Sequence, residues 1–158
     1  MKVFKWVRNN IEEAASAMLL VVMVSISFMN VATRNIANLS LAFTEELTVY
    51  LFVWMTLLGT ALAFKTGSNM VVVFFNARFP KPVRRVIYVF SNLLTVIFFS
   101  VLCYLGILEV RDEIMLGAMT ESIYMPLWYF TVSIPIGSVL IIVRTVMKAA
   151  QVLRDEAY

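Results

Sequence analysis

The sequence predicts an all-α integral membrane protein with four transmembrane helices and both termini in the cytoplasm. Three observations carry this. The chain of 158 residues is 61% hydrophobic and 15% charged, with a mean hydropathy of +0.87, whereas soluble domains run at about 45–50% apolar and about 25% charged. Four stretches lacking Asp, Glu, Lys and Arg are each long enough to cross a bilayer. The basic residues alternate in density between the segments that separate those stretches.

A hydrocarbon core of about 30 Å takes about 20 apolar residues in a helix, within a range of about 17–25. The uncharged stretches are Ala14 to Thr33 with 20 residues, Leu47 to Phe64 with 18, Val86 to Leu108 with 23 and Ser122 to Val143 with 22. A single membrane domain over residues 1–158 follows, with spans at about 14–33, 47–64, 86–108 and 122–143. The first stretch has a basic lead-in like that of a cleaved signal peptide. Glu12 and Glu13 interrupt that outline, and the apolar run is longer than a signal core, so it is assigned as a span.

Orientation follows from the positive charges. Lys2, Lys5 and Arg8 precede span one; Lys65, Arg78, Lys81, Arg84 and Arg85 lie between spans two and three; Arg144, Lys148 and Arg154 follow span four. The other two connections hold only Arg34 and Arg111, a division of 11 against 2. The ends and the middle loop are therefore expected on the cytoplasmic side. The net charge of +3 is spread along these flanks and not pooled in a patch, which argues against nucleic acid as a partner and for membrane lipid.

Within this frame each element has local signals. Phe4 and Trp6 among the basic residues of Met1 to Asn10 suit a segment at the headgroups. Thr56, Gly59, Thr60 and Ala63 fall on one face of span two at i, i+3, i+4 spacing, and small residues let helix backbones approach in lipid. Trp54 lies mid-span, away from the interfacial belt. This set is the expected contact with a partner helix. Gly67 suits a helix C-cap beside Lys65, and the short apolar run Met70 to Phe75 suits an interfacial segment, with its three adjacent valines leaving its conformation open. Pro135 removes a backbone donor inside span four and predicts a kink near Thr131. Pro126 suits the first turn of that helix, and Trp128 and Tyr129 suit its outer anchor.

Chemistry is scarce. With no His and one Cys, His-based triads, Cys/His metal sites, haem ligation by His and intrachain disulfides are excluded. Cys103 is expected to be an inert small hydrophobe. The spans contain no charge, whereas ion paths and proton relays in membranes use ionisable residues. No catalytic, metal or cofactor residues are assigned, and an enzyme is not expected. Asn30 and Asn92 are candidate hydrogen-bond partners between helices. Glu45 and Glu46 stand at the outer mouth of span two, either capping it with Thr44 as N-cap or meeting a partner. Glu109, Asp112 and Glu113 share a face by spacing, either as solvated flank or as a cation or partner surface. With Arg34, Arg111 and Glu121 the outer surface carries two basic and six acidic residues, a balance of −4.

Several stretches in order carry a resemblance: Glu45-Glu46-Leu47, Tyr50-Leu51-Phe52-Val53-Trp54, Leu57-Leu58-Gly59-Thr60-Ala61, Lys65-Thr66-Gly67, Pro126-Leu127-Trp128-Tyr129 and Ile134-Pro135-Ile136-Gly137. Together they resemble the small membrane subunit of TRAP transporters, the DctQ type, over nearly the whole chain. The sequence departs from the family where a His and an acidic residue usually follow the Lys/Arg-x-Gly, since Asn69 and Val73 stand there. The resemblance implies a small accessory subunit in the bacterial inner membrane, part of a sodium-coupled tripartite system for organic acid uptake. Its implied partners are a large membrane subunit of the DctM type, which carries the sodium and substrate sites, and a soluble periplasmic substrate-binding protein of the DctP type. The small subunit would brace the first, through Trp54, Thr56, Gly59, Thr60 and Ala63, and help dock the second, through Arg34, Glu45, Glu46, Glu109, Asp112 and Glu113. Sialic acid and C4-dicarboxylates are both compatible substrates. The alternative is a stand-alone oligomeric small exporter or channel.

Overall fold

The structure, a computed structural model, describes residues 11–37, 42–66 and 81–155. The expected cap at Gly67, the interfacial run Met70 to Phe75 and the Met1 to Asn10 segment lie outside these residues.

Helix α1 is Ile11–Ala37, α2 is Ala42–Thr66, α3 is Lys81–Leu116, α4 is Trp128–Thr131 and α5 is Ser133–Asp155. Among the described residues, four helical segments are long and apolar enough to cross a membrane: Glu13–Ile36, Ala42–Thr66, Arg85–Leu116 and Trp128–Val152. All four expected spans fall on helix, but the edges differ. Helix α3 has 36 residues, about 54 Å at 1.5 Å per residue, so it tilts or projects well beyond a core of about 30 Å. Helix α2 starts at Ala42, two residues before Thr44. Thr44 is therefore no N-cap; it is a buried residue of the first turn.

The largest difference is at span four, where residues 122–127 are not helical. Gly117, with φ +61°, ends α3 in the left-handed conformation. The Ala118 N–H donates to the Glu113 carbonyl at 3.0 Å and the Gly117 N–H to that of Ile114 at 3.3 Å. This paired closure satisfies carbonyls that the helix end leaves open. The chain then turns back in a short hairpin. Its ties are Leu127 N–H to the Ala118 carbonyl at 3.0 Å, Thr120 N–H to the Met125 carbonyl at 2.8 Å, and Met125 N–H to Thr120 Oγ1 at 3.0 Å. Pro126 thus belongs to the hairpin and precedes the helix. Near Thr131, where a kink was expected, the helix is interrupted at Val132 between α4 and α5, with the Val132 backbone still in the right-handed helical region, and Pro135 has no N–H to give to the Thr131 carbonyl.

Packing is a row and not a closed bundle. Helix α5 lies between α2 and α3, and α1 packs on the other side of α2. The order across the row is α1, α2, α5, α3. Each edge helix therefore has one principal neighbour, and long apolar faces stay open on both sides of the row. Met18, Val21, Phe28 and Val31 of α1 and Phe90, Leu94, Phe98 and Val101 of α3 are exposed, as suits lipid.

The core lies where α5 crosses its two neighbours. Leu57, Ala61 and Ile141 are buried together, with Val53, Phe64, Phe99 and Leu140 packed around them. Two glycines make the approaches possible. A Cβ on Gly137 would come within 2.7 Å of Leu57 Cβ, and one on Gly106 within 2.9 Å of Ile134 Cγ2. Hydrogen bonding within the spans is mostly local. Ser25, Thr56, Thr60 and Thr95 each donate to the carbonyl four residues back. Asn92, a candidate partner between helices, likewise donates to the Tyr88 carbonyl of its own helix at 2.8 Å. At the opposite end of the row from the hairpin, Lys65 approaches Glu13 at 3.9 Å, with both side chains partly exposed.

Candidate functional site

Two surfaces were expected to meet partners, and the structure places both. The first is the face of α2. Leu57 and Ala61 turn toward α5, and Gly59, two residues from each, lies about 200° around the helix from them. Thr56 and Gly59 are exposed, while Trp54, Thr60 and Ala63 are half-buried. Apart from the backbone of its own helix, nothing among the described residues lies within 4 Å of where a Cβ on Gly59 would stand. The Thr56 and Thr60 hydroxyls are spent on their own helix, at 2.8 Å each. Thr56 and Gly59 are thus free of this chain's own packing, whereas Trp54, Thr60 and Ala63 are partly covered by it, and the glycines that do pack, Gly106 and Gly137, are not part of the stripe. The sequence signal for those two was only their place within a span.

The second surface is the end of the row that holds the hairpin. Arg34, Glu45, Glu109, Arg111, Asp112 and Glu121 are exposed there. Glu46 and Glu113 are not part of that free rim. Glu46 sits in the second turn of α2 and faces the hairpin. Its Oε1 accepts the Glu121 N–H at 2.9 Å and its Oε2 accepts the Ser122 N–H at 2.8 Å. The Tyr50 hydroxyl, one turn below, donates to Oε1 at 3.2 Å. The Tyr50 ring in turn stacks on Phe130 of α4, with centroids 4.2 Å apart.

Glu113 corrects the expectation of a solvated acidic face on α3. It is 7% exposed, because the chain folds back at Gly117 and covers the last turn of the helix. Its Oε1 accepts the Thr131 hydroxyl at 2.8 Å, which ties the end of α3 to the break in the fourth span. Glu109 and Asp112 stay in solvent, so the three carboxylates do not act as one group. Among the described residues no set of three or more His, Cys, Asp or Glu is arranged to hold a metal ion.

The hairpin itself was not foreseen. Its tip carries Tyr124 at φ +56°, an uncommon conformation for a bulky residue. Met119, Tyr124 and Met125 are exposed around it. Beside it, the Trp128 and Tyr129 rings stack at 3.9 Å between centroids, at the expected place for an interfacial anchor. Nothing in residues 117–127 marks a hairpin strongly. An uncharged run after Glu121 looks like the start of a span, and only Gly117 and Pro126 hint at turns.

Residues 23–155 match the family described as tripartite ATP-independent periplasmic transporters, DctQ component. The sialic acid TRAP transporter small permease protein SiaQ of Vibrio cholerae is 23% identical over 154 residues, covering 98% of this chain and 88% of that protein. The C4-dicarboxylate TRAP transporter small permease protein DctQ of Rhodobacter capsulatus is 25% identical over 115 residues, covering 73% of this chain. This second alignment spans only 51% of that relative's length. Members of this family are transporter components of the bacterial inner membrane and not enzymes. With the four spans and a match over most of its length, the chain belongs to the DctQ family of TRAP transporter small membrane subunits.

Proposed function

We propose that the chain braces the large permease subunit of a sodium-coupled tripartite system for organic acid uptake and helps dock its soluble substrate-binding protein. The observation that carries this reading is the division of labour on α2. One side is closed on α5 through Leu57 and Ala61, while Thr56 and Gly59 stay exposed, with nothing packed on Gly59. In lipid, such a face favours close contact with another helix. A row of helices with both broad sides exposed is also a suitable shape for lying along a larger membrane protein.

Docking of the binding protein is assigned to the outer end, with the ends of the chain and the middle loop in the cytoplasm. The exposed rim there holds Glu45, Glu109, Asp112 and Glu121 against Arg34 and Arg111, and complementary charge speeds association. The large subunit and the binding protein would select the transported compound. The names of the two relatives support an organic anion, sialic acid or a C4-dicarboxylate.

The test is reconstitution. Vesicles with the large subunit, this chain and the binding protein should take up the organic acid only with an inward sodium gradient, and vesicles with this chain alone should take up none. Uptake by the isolated chain, or undiminished uptake when it is left out, would overturn the reading.

A further inference from the structure

We infer that Glu46 is a positioning residue: its carboxylate holds the outer hairpin in the shape that the binding protein meets. The inference rests on the docking reading above. A carboxylate only accepts hydrogen bonds, through two oxygens, and here each oxygen takes one of two consecutive backbone N–H groups. These are the groups of Glu121 at 2.9 Å and Ser122 at 2.8 Å, some 75 residues further along the chain. The hairpin's own ties begin at Ala118 and Thr120 and resume at Met125. The two donors at its tip are directed away from the hairpin, toward α2.

The clamp is itself braced. Tyr50 donates to Oε1 from one turn below, and its ring is held by stacking on Phe130. The carboxylate is therefore fixed from the helix that carries it and from the helix that the hairpin leads into. What it fixes is the outward display. Glu121, Tyr124 and Met125 are exposed, and Tyr124 is in the left-handed conformation, which side chains other than glycine keep only where the surroundings impose it. With the tip unpinned, Tyr124 would relax to an ordinary conformation and the outward face would change.

The chemistry requires Glu at this position. Gln keeps one acceptor but turns an NH2 group toward the second N–H, and Asp is one methylene shorter. The consequence is kinetic and specific to docking, because the clamp touches neither the α2–α5 core nor the open face of α2.

The experiment uses the complete complex of both membrane subunits, with the binding protein added at increasing concentration. In the unaltered complex, the Glu121 and Ser122 amides should be protected from hydrogen exchange. In Glu46→Gln, exchange at both should speed up by about tenfold, as for loss of one hydrogen bond to a charged group. The binding-protein concentration for half-maximal uptake should rise, with maximal uptake and co-purification of the two membrane subunits unchanged. Glu46→Ala should give the same pattern with a larger effect. Tyr124→Ala separates the two ideas, because it alters the displayed surface and leaves the clamp in place. It should raise the half-saturating concentration with no change in exchange at Glu121 and Ser122. Unprotected Glu121 and Ser122 amides in the unaltered complex, or no change in Glu46→Gln, would overturn the positioning role whatever the docking result. Faster exchange in Glu46→Gln with half-saturation unmoved in all three variants would instead overturn the docking reading.

Discussion

Gly137 of α5 lies directly against Leu57 of α2, so close that even a methyl group on the glycine would sit 2.7 Å from Leu57 Cβ. Backbone proximity at this one crossing brings Leu57, Ala61 and Ile141 into a common buried cluster. The obstructing atoms include the Leu57 Cβ and not only the far end of its side chain, so rotamer changes do not relieve the clash. Gly137→Ala should therefore destabilise the chain by about 1–3 kcal/mol, in the range of overpacked cores. Unfolding of the purified subunit in detergent measures it. In the double variant with Leu57→Ala the two effects should fall short of their sum, as for residues in contact. Strict additivity would mean that the two residues do not share this crossing.

The two remaining glycines within the spans should behave in opposite ways. Gly59 faces open space, whereas a side chain at Gly106 meets Ile134 and Pro135. Gly59→Leu should leave the stability of the isolated subunit within about 0.5 kcal/mol, as for surface positions, and reduce recovery of the large subunit in co-purification. Gly106→Leu should lower the stability of the subunit itself. Intact co-purification in Gly59→Leu would place that face of α2 in lipid.

The exposed acidic rim lends itself to charge reversal. Glu109→Lys combined with Asp112→Lys leaves the buried Glu113 in place. Uptake should fall at limiting binding protein and recover as that protein is raised, with a weaker dependence on salt, as for rim charges that steer encounter. Normal uptake at every concentration would show this rim to be solvated surface only.

Orientation has a direct readout. With Cys103 replaced by Ala, a cysteine at Val83, which is exposed near the start of α3, should react with an impermeant thiol reagent only from the cytoplasmic side. A cysteine in place of Glu109, at the other end of the same helix, should react only from outside. The reverse pattern would invert the topology.

Much of the fold was legible in the sequence because the bilayer imposes simple rules. Length without charge located all four spans, and Pro135 located the break in the last. The rules fail where the chain leaves the lipid. Ser122 to Leu127 carries no charge and extends the apolar run, yet the Pro126 ring and the turn after Gly117 make it a hairpin. Glu113 looked like one of three solvated acids, because spacing along α3 says nothing about a chain that folds back over its last turn. The pairing of Glu46 with backbone N–H groups of Glu121 and Ser122 was beyond reach for a similar reason: a backbone donor has no side-chain identity. The Thr56 to Ala63 stripe was legible as a surface of small residues. Sequence alone had no means to show that Gly106 and Gly137 do the packing within the chain.

The row order also governs how the chain must be built. Helix α2 is made early, and its Leu57 and Ala61 find their principal cover only on α5, the last span to be synthesised. Helix α3 arrives in between and has little direct contact with α2. Until α5 inserts, the membrane holds an α1–α2 hairpin and a separate third helix, without the piece that joins them. A chain cut short after Leu116 would keep α3 tethered to the α1–α2 pair by its connecting segment, with little packing between them. Completion of the fourth span is thus the step that converts inserted helices into a folded subunit.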